Sequence, residues 1–153
     1  MDDLERRLQV RSNYKAGLVV VDGVFSMEGD VVNLPRLVEL TAKYDCRLMV
    51  DDAHAVGVLG TNGRGTAEHF GLEGKVDLVM GTFSKSLASV GGFVAGEERV
   101  INWIKHRART LIFSAAPPPA CVASVLKALE IIEREPERRA HLWENTRFMS
   151  EGL

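Results

Sequence analysis

Four short apolar runs limit what this chain can fold into more than any other feature of its sequence. They occupy residues 18–21, 48–50, 76–80 and 92–96, and each is too short to form a stable helix. Stretches with helical period separate or follow them, and one of these begins after Asn33 with Pro35 in its first turn. This alternation predicts an α/β fold with a mostly parallel sheet flanked by helices.

The same runs predict how the sheet is covered. Residues 18–21 and 48–50 carry only apolar side chains, which is typical of strands buried on both faces. Periodicity predicts further helices at residues 2–10, 67–70, 97–111 and 120–134, and a last one from Pro136 to the end. Because a four-strand sheet with two open edges invites edge pairing, we expect the 153 residues to be the middle of a larger chain.

Composition excludes several classes of partner. The chain has 19 Lys and Arg against 21 Asp and Glu, a formal charge of −2, so no general basic field attracts nucleic acid or anionic lipid. No apolar run approaches the roughly 20 residues that span a bilayer, and the acidic opening Asp2-Asp3 is unlike a signal peptide. Cys46 and Cys121 have no disulfide-framework or metal-ligand spacing, which predicts buried reduced thiols in a cytoplasmic protein and no metal site.

Polar residues directly follow the first three apolar runs, at residues 22–26, 51–54 and 82–85. In open α/β sheets, ligands bind outside the carboxyl ends of the strands. We therefore expect these three segments to converge on one crevice.

Lys85 lies in a stretch of small and hydroxyl-bearing residues, 81–92, immediately after an apolar run. A lysine at a buried strand end is partly desolvated, so some of its amine is neutral and can attack a carbonyl. The hydroxyls of Thr82, Ser84 and Ser86, with nearby backbone N–H groups, suit a phosphate group. The alternative is a solvated surface lysine, as most lysines are.

Asp51 and His54 form a second candidate group. A carboxylate at the end of a buried strand needs a cationic or N–H partner, and a protonated heteroaromatic nitrogen would serve. His54 could donate to an oxygen on the same ring, while the small Ala53 would let a flat ligand approach the backbone. The alternative is an Asp51 that caps the next turn beside a satisfied core histidine.

Two other interpretations of this region are weaker. Residues 50–54 are similar to the second acidic motif of P-loop NTPases, but the Gly-x-x-x-x-Gly-Lys-Ser/Thr loop that such enzymes need is missing from the sequence. The glycines between Gly57 and Gly65 fit no nucleotide-binding spacing and favour a flexible loop, in which Arg64 forms a salt bridge or fixes the loop.

Taken together, five segments closely resemble the α-oxoamine synthases, which are fold-type-I enzymes that depend on pyridoxal 5′-phosphate. The segments are residues 22–30, 50–60, 63–68, 82–86 and 113–118, in order and with matching spacing over essentially the whole chain. The resemblance implies that residues 1–153 are the central part of the cofactor-binding large domain. The family's amino-terminal segment and carboxyl-terminal small domain would then lie outside this chain.

The resemblance assigns roles to the candidates. Lys85 matches the lysine that binds the cofactor covalently, Asp51 the carboxylate that binds the pyridinium N–H, and His54 the histidine near the phenolic oxygen. The remaining predicted cofactor-binding residues are Ala53, Thr82, Ser84, Ser26 and Ser114. Ser114 matches a position that reaches the neighbouring subunit's phosphate site, and Ala115 follows it where the family often has a hydroxyl.

The resemblance also implies a reaction, the decarboxylative condensation of an amino acid with an acyl-CoA in a homodimer. Residues 82–93 and 139–147 look most like the bacterial members that use serine and a long-chain acyl-CoA, while members that use glycine or alanine are the alternatives. A non-catalytic partner subunit or inactive fragment is the alternative of another class. We expect the 153 residues alone to have no synthase turnover.

Overall fold

The computed structural model describes residues 1–10 and 15–153. The strands are β1 (Leu18–Asp22), β2 (Arg47–Asp51), β3 (Leu78–Thr82) and β4 (Gly92–Gly96). The helices are α1 (Asp2–Gln9), α2 (Leu34–Lys43), α3 (Thr66–His69), α4 (Glu98–Arg107), α5 (Arg109–Ile112), α6 (Pro119–Arg134) and α7 (Pro136–Gly152). The predicted α/β class is confirmed.

The four strands form one sheet in the order β1-β2-β3-β4. The first three strands are parallel, and only β4 pairs antiparallel with its neighbour. In this register Asp22 pairs with Asp51, and Asp51 pairs with Met80. The carboxyl ends of β1, β2 and β3 therefore lie side by side at one edge, as predicted.

The main hydrophobic core lies between one face of the sheet and α2. Leu34 and Leu37 of α2 pack with Leu48 and Val50 of β2, and all four are almost fully buried. The helix begins where the sequence predicted, since the side chain of Asn33 accepts the backbone N–H of Arg36 at 3.2 Å. This packing fixes β2, which carries the central polar segment.

The opposite face of β1 is open, which corrects the expectation that this strand is buried on both faces. Leu18 and Val20 are 54% and 59% exposed, whereas Val19 and Val21 pack against the core. Side chains alternate between faces along a strand, so α1 and α2 can cover only one set. Within residues 1–10 and 15–153, no helix packs over Leu18 and Val20.

The helix predicted over residues 97–111 is divided in two. It stops at Ala108, whose backbone is extended with φ −75° and ψ 107°, and restarts at Arg109. The N–H of Ala108 still bonds to the carbonyl of Ile104 at 2.8 Å, so α4 ends with its last turn closed. No proline or glycine explains the division.

Both cysteines are free thiols, as predicted. Cys46 is buried beside Leu8 and Leu40 in a second small core. Cys121 is only half-buried, because it lies in the first turn of α6, a helix with one fully buried residue. None of the described helices is long and apolar enough to cross a membrane.

Candidate functional site

Two backbone hydrogen bonds and one side-chain hydrogen bond connect the polar segments at the carboxyl edge of the sheet. The N–H of Gly23 donates to the carbonyl of Asp51 at 2.8 Å, and the N–H of Asp52 donates to Met80 at 2.8 Å. The hydroxyl of Ser86 donates to the carbonyl of Val56 at 2.6 Å. The ends of β1, β2 and β3 and the loop that contains Lys85 therefore form one connected surface.

Strand β2 ends at Asp51, and the tight turn that follows it carries Ala53 and His54. The Oδ1 atom of Asp51 accepts the N–H of Ala53 at 2.9 Å, so Asp51 does cap the next turn. Its second carboxylate oxygen has no hydrogen-bond partner in the described chain, and neither has the ring of His54. Both side chains are half-buried, so His54 is not a satisfied core histidine and Asp51 retains a free acceptor.

The segment after β3 is an ordered loop that holds a pair of hydroxyls. Thr82 Oγ1 lies 2.9 Å from Ser84 Oγ and donates to the carbonyl of Gly91 at 3.1 Å. Leu87 anchors the loop with 1% exposure, while Ala88 has a left-handed backbone with φ 49°. These contacts give the loop one conformation.

Lys85 itself is exposed, which corrects the expectation that it is partly desolvated. The residue lies three positions beyond the end of β3, and its side chain extends from the loop rather than from the buried strand end. No carboxylate pairs with its amine among the residues that the structure describes. The amine is therefore available to a ligand.

Ser26 and Ser114 lie in separate exposed segments. Ser26 follows Phe25, whose N–H and carbonyl bond to Asp30 and Gly29 at 2.9 Å each, so the turn is closed. The hydroxyl of Ser114, after α5, donates to the carbonyl of Leu111 at 3.1 Å. No contact in the described ranges joins either serine to Lys85, so their roles at the cofactor stay predictions.

A buried carboxylate lies beside Asp51 that was not predicted from the sequence. Asp52 is 1% exposed, and it accepts the N–H of Thr66 at 2.9 Å and the Thr66 hydroxyl at 2.5 Å. Burial raises the pKa of the Asp52 carboxyl, and the two bonds from Thr66 oppose that rise. The alternation of side chains along a strand could have indicated that Asp52 is buried, because it directs two consecutive residues to opposite faces of the sheet.

A second missed carboxylate organises the glycine-rich loop. Glu68 accepts the backbone N–H of Asn62 at 3.1 Å, its side-chain amide at 2.6 Å, and the N–H of Arg64 at 2.9 Å. The loop is thus held in place by its own carboxylate, in addition to its left-handed glycines. The predicted salt bridge of Arg64 is confirmed, with Glu73 at 3.4 Å.

Helix α7 fastens this loop from the other side. The indole N–H of Trp143 donates to the carbonyl of Val58 at 3.1 Å, and the guanidinium of Arg139 donates to the carbonyl of Thr61. A cavity of about 760 Å³ lies at the opposite edge of the sheet, near Gly17 and Arg47. It contains none of the predicted site residues.

The sheet carries an acid at the end of β2 and a lysine in the loop after β3, and comparisons with known proteins give the family of the chain. The family model for aminotransferase class I and II matches residues 1–153, and the chain belongs to that family. The resemblance that the motifs predicted is confirmed at this level.

Individual relatives show which enzymes of the family this chain resembles in sequence. The chain is 58% identical over its 153 residues to a serine palmitoyltransferase of Sphingobacterium spiritivorum, and 49% identical to 8-amino-7-oxononanoate synthase 1 of Bacillus subtilis. It spans 38% and 39% of the length of these two relatives. Among solved structures, 95% of the chain superposes on 38% of S. paucimobilis serine palmitoyltransferase with a bound PLP–myriocin aldimine, at a TM-score of 0.91 and 40% identity.

Proposed function

We propose that this chain is the central, cofactor-binding part of a pyridoxal-phosphate-dependent enzyme that condenses an amino acid with an acyl-CoA and releases carbon dioxide. One observation carries the proposal. Asp51 ends β2, and Lys85 lies in the loop after the adjacent parallel strand β3, at the same edge of the sheet. One carboxylate oxygen of Asp51 and the amine of Lys85 have no partner among the described residues.

The residues fit the cofactor by their chemistry. The free oxygen of Asp51 can accept the N–H of a protonated ring nitrogen, and the free amine of Lys85 can bond to an aldehyde carbon. The paired hydroxyls of Thr82 and Ser84, 2.9 Å apart, are donors suited to a phosphate. Ala53 leaves the backbone of the turn accessible to a flat ring, and Ser26 lies at the neighbouring end of β1.

Each residue then has a defined part in the reaction. Pyridoxal phosphate, when bound, supplies a ring that accepts the electrons released at the amino acid's α-carbon. Asp51 keeps the proton on the ring nitrogen, and His54 orients the ring through its phenolic oxygen. Lys85 would remove and return a proton at the amino acid's α-carbon.

Serine and a long-chain acyl-CoA such as palmitoyl-CoA are the proposed substrates, which would make this an enzyme of sphingolipid synthesis. The 58% identity to a serine palmitoyltransferase, against 49% to an 8-amino-7-oxononanoate synthase, supports this choice. Residues 82–93 and 139–147 support it too, although residues 65–70 suit 2-amino-3-ketobutyrate CoA ligase equally well. That ligase and the oxononanoate synthase are the second candidates.

We also propose that the enzyme is a cytoplasmic homodimer in which Ser114 reaches the partner's cofactor. The exposed apolar side chains next to Ser114 support an interface there. Leu111, Ile112 and Phe113 are 50%, 50% and 85% exposed, and contiguous apolar side chains at a protein surface are a common mark of a protein contact.

A cofactor titration tests the proposal on the whole protein. Adding pyridoxal phosphate should produce a visible absorbance band, and Lys85→Ala should abolish it. Lys75→Ala removes another exposed lysine and should leave the band unchanged. A wild-type protein that stays colourless would refute the enzymatic interpretation and favour a non-catalytic partner or inactive fragment.

A substrate panel then decides among the members. Serine, glycine and alanine are each offered with palmitoyl-CoA and acetyl-CoA, and release of free CoA is measured. We expect turnover with serine and palmitoyl-CoA. A clear preference for glycine with acetyl-CoA would overturn that assignment in favour of the ketobutyrate ligase.

A further inference from the structure

Asp52 is bonded through its backbone and its side chain to three other segments. Its N–H donates to Met80 of β3 at 2.8 Å. Its carbonyl accepts the N–H groups of Ala55 and Val56 at 2.9 and 3.0 Å, which closes the turn that contains His54. Its carboxylate reaches the start of α3. One residue therefore connects β3, the turn after β2 and the glycine-rich loop.

Among the described residues, only Thr66 donates hydrogen bonds to the carboxylate of Asp52. Both side chains are at most 1% exposed, and the two oxygens accept the N–H and the hydroxyl of Thr66. Within the described ranges no cation lies beside this acid. Burying a carboxylate without a cation costs free energy, and an apolar pair of similar volume would usually be at least as stable. Stability alone does not account for this pair.

Two glycines bring the backbone into close contact with the pair. A methyl group on Gly23 would overlap Asp52 Oδ1 and the Thr66 hydroxyl, and one on Gly65 would overlap Asp52 Oδ2. Gly23 and Gly65 belong to the end of β1 and to the glycine-rich loop. The backbone on both sides is thus shaped around the Asp52–Thr66 contact.

Asp51 depends on the same backbone. Its carbonyl accepts the N–H of Gly23, and its Oδ1 atom accepts the N–H of Ala53. Because consecutive strand residues point to opposite faces, Asp52 can hold this backbone from below while the Asp51 side chain faces the other way. We propose that Asp52 is a positioning residue, which acts with Thr66 to fix Asp51 and His54 in the orientation that receives the cofactor ring. This inference rests on the proposed function.

Substitutions at Thr66 test the inference without removing the acid. Thr66→Val keeps the shape and the backbone N–H but deletes the hydroxyl, whereas Thr66→Ser retains both donors. Thr41→Val is the matched control, because Thr41 is also buried and its hydroxyl donates to the carbonyl of Leu37 at 2.9 Å, far along α2. Urea unfolding measures how much each substitution lowers the free energy of unfolding.

Two readouts on the whole protein separate positioning from stability. We expect Thr66→Val to raise the Kd for pyridoxal phosphate roughly three- to tenfold, which is less than the full effect of losing one hydrogen bond to a charged group, because the lost bond positions Asp51 and does not itself contact the cofactor. It should also shift the pH at which the visible absorbance of the bound cofactor changes. Thr66→Ser should restore both values, and Thr41→Val should lower stability without moving either.

Amide hydrogen exchange in the cofactor-free protein provides a test that does not depend on the proposed function. The amides of Ala53, Ala55 and Val56 should exchange faster in Thr66→Val and at the wild-type rate in Thr41→Val. If Thr66→Val only lowers stability, and leaves exchange, Kd and the pH profile unchanged, the inference is overturned. If the wild type binds no cofactor, the proposed function fails, and the exchange rates alone decide whether Asp52 positions the turn.

Discussion

Gly23→Ala tests how tightly the carboxyl edge of the sheet is built. The added methyl would lie 3.1 Å from Thr66 Cβ and overlap both Asp52 Oδ1 and Thr66 Oγ1, inside the 3.0 Å that real Cβ atoms respect. Neither neighbour can move aside, because Asp52 and Thr66 are at most 1% exposed. The Asp52–Thr66 bond must therefore break or the end of β1 must shift.

The size of the effect follows from these two costs. Loss of a hydrogen bond to a charged group costs about 1.5–3 kcal/mol, and overpacking a core adds about 1–3 kcal/mol. We expect Gly23→Ala to lower the free energy of unfolding by about 3–5 kcal/mol, a large part of the 5–15 kcal/mol typical of a domain. With a urea m-value of about 2 kcal/mol/M, the midpoint should fall by roughly 1.5–2.5 M.

The assay is urea unfolding followed by far-UV circular dichroism, with Gly152→Ala as the control. A methyl group on Gly152 meets nothing within 4 Å, so this variant should unfold within about 1 kcal/mol of the wild type. A loss of less than about 1 kcal/mol in Gly23→Ala would mean that the edge is loosely packed, and the reasoning about Asp52 and Thr66 would be refuted.

Three further predictions concern the acids and α7. Burial raises the pKa of Asp52 above its ordinary 3.8, so the folded state binds the proton more tightly than the unfolded state. The free energy of unfolding therefore falls as the pH rises from about that value. In Asp52→Asn, the free energy of unfolding measured with urea should fall less between acid and neutral pH than it does in the wild type. An equal fall in both proteins would contradict this prediction. Burial acts in the same direction on Glu68, but the bonds from Arg64 and Asn62 outweigh it and lower the pKa of Glu68 below 4.5. The stability that Glu68 contributes is thus present above pH 4.5 and lost as the pH falls through the folded value, so Glu68→Gln should destabilise at neutral pH and match the wild type in strong acid. Trp143→Phe, which removes the bond to Val58, should lower the free energy of unfolding by about 0.5–1.5 kcal/mol, whereas Trp103→Phe, at a 66% exposed position, should not.

The mostly parallel sheet and the convergence of three polar segments at one of its edges could be predicted from the sequence, because they depend on local pattern. Short apolar runs that end in Asp22, Asp51 and Thr82 are sufficient to place three polar segments at one edge of a parallel sheet. The direction of β4 could not be predicted, because residues 92–96 follow β3 through a loop whose return depends on the contacts of Phe83 and Gly91.

The burial of individual polar groups was less predictable. Lys85 was expected to be partly desolvated but is exposed. Asp52 was not predicted to be a site residue, yet it is buried. Burial of that acid depends on Thr66, fourteen residues further along the chain, and on two glycines that leave room for it. Such contacts depend on tertiary structure and leave only a weak trace in the local sequence.

The open face of β1 has a similar explanation. The run 18–21 is apolar throughout, and a pattern of this kind indicates that both faces are suited to burial. It does not show which element covers each face, and α1 and α2 pack only against the face that carries Val19 and Val21. Leu18 and Val20 are therefore correctly assigned to a strand, although their exposure was not expected.

Peptide mapping can show whether Lys85 binds the cofactor covalently. The whole protein is incubated with pyridoxal phosphate, treated with borohydride to fix the cofactor to its amine, digested, and analysed by mass spectrometry. We predict that the cofactor is found on the peptide that contains Lys85 and on no other lysine at equal concentrations of protein and cofactor. Labelling of Lys75 or Lys105 in preference to Lys85, or no fixed cofactor at all, would contradict the account.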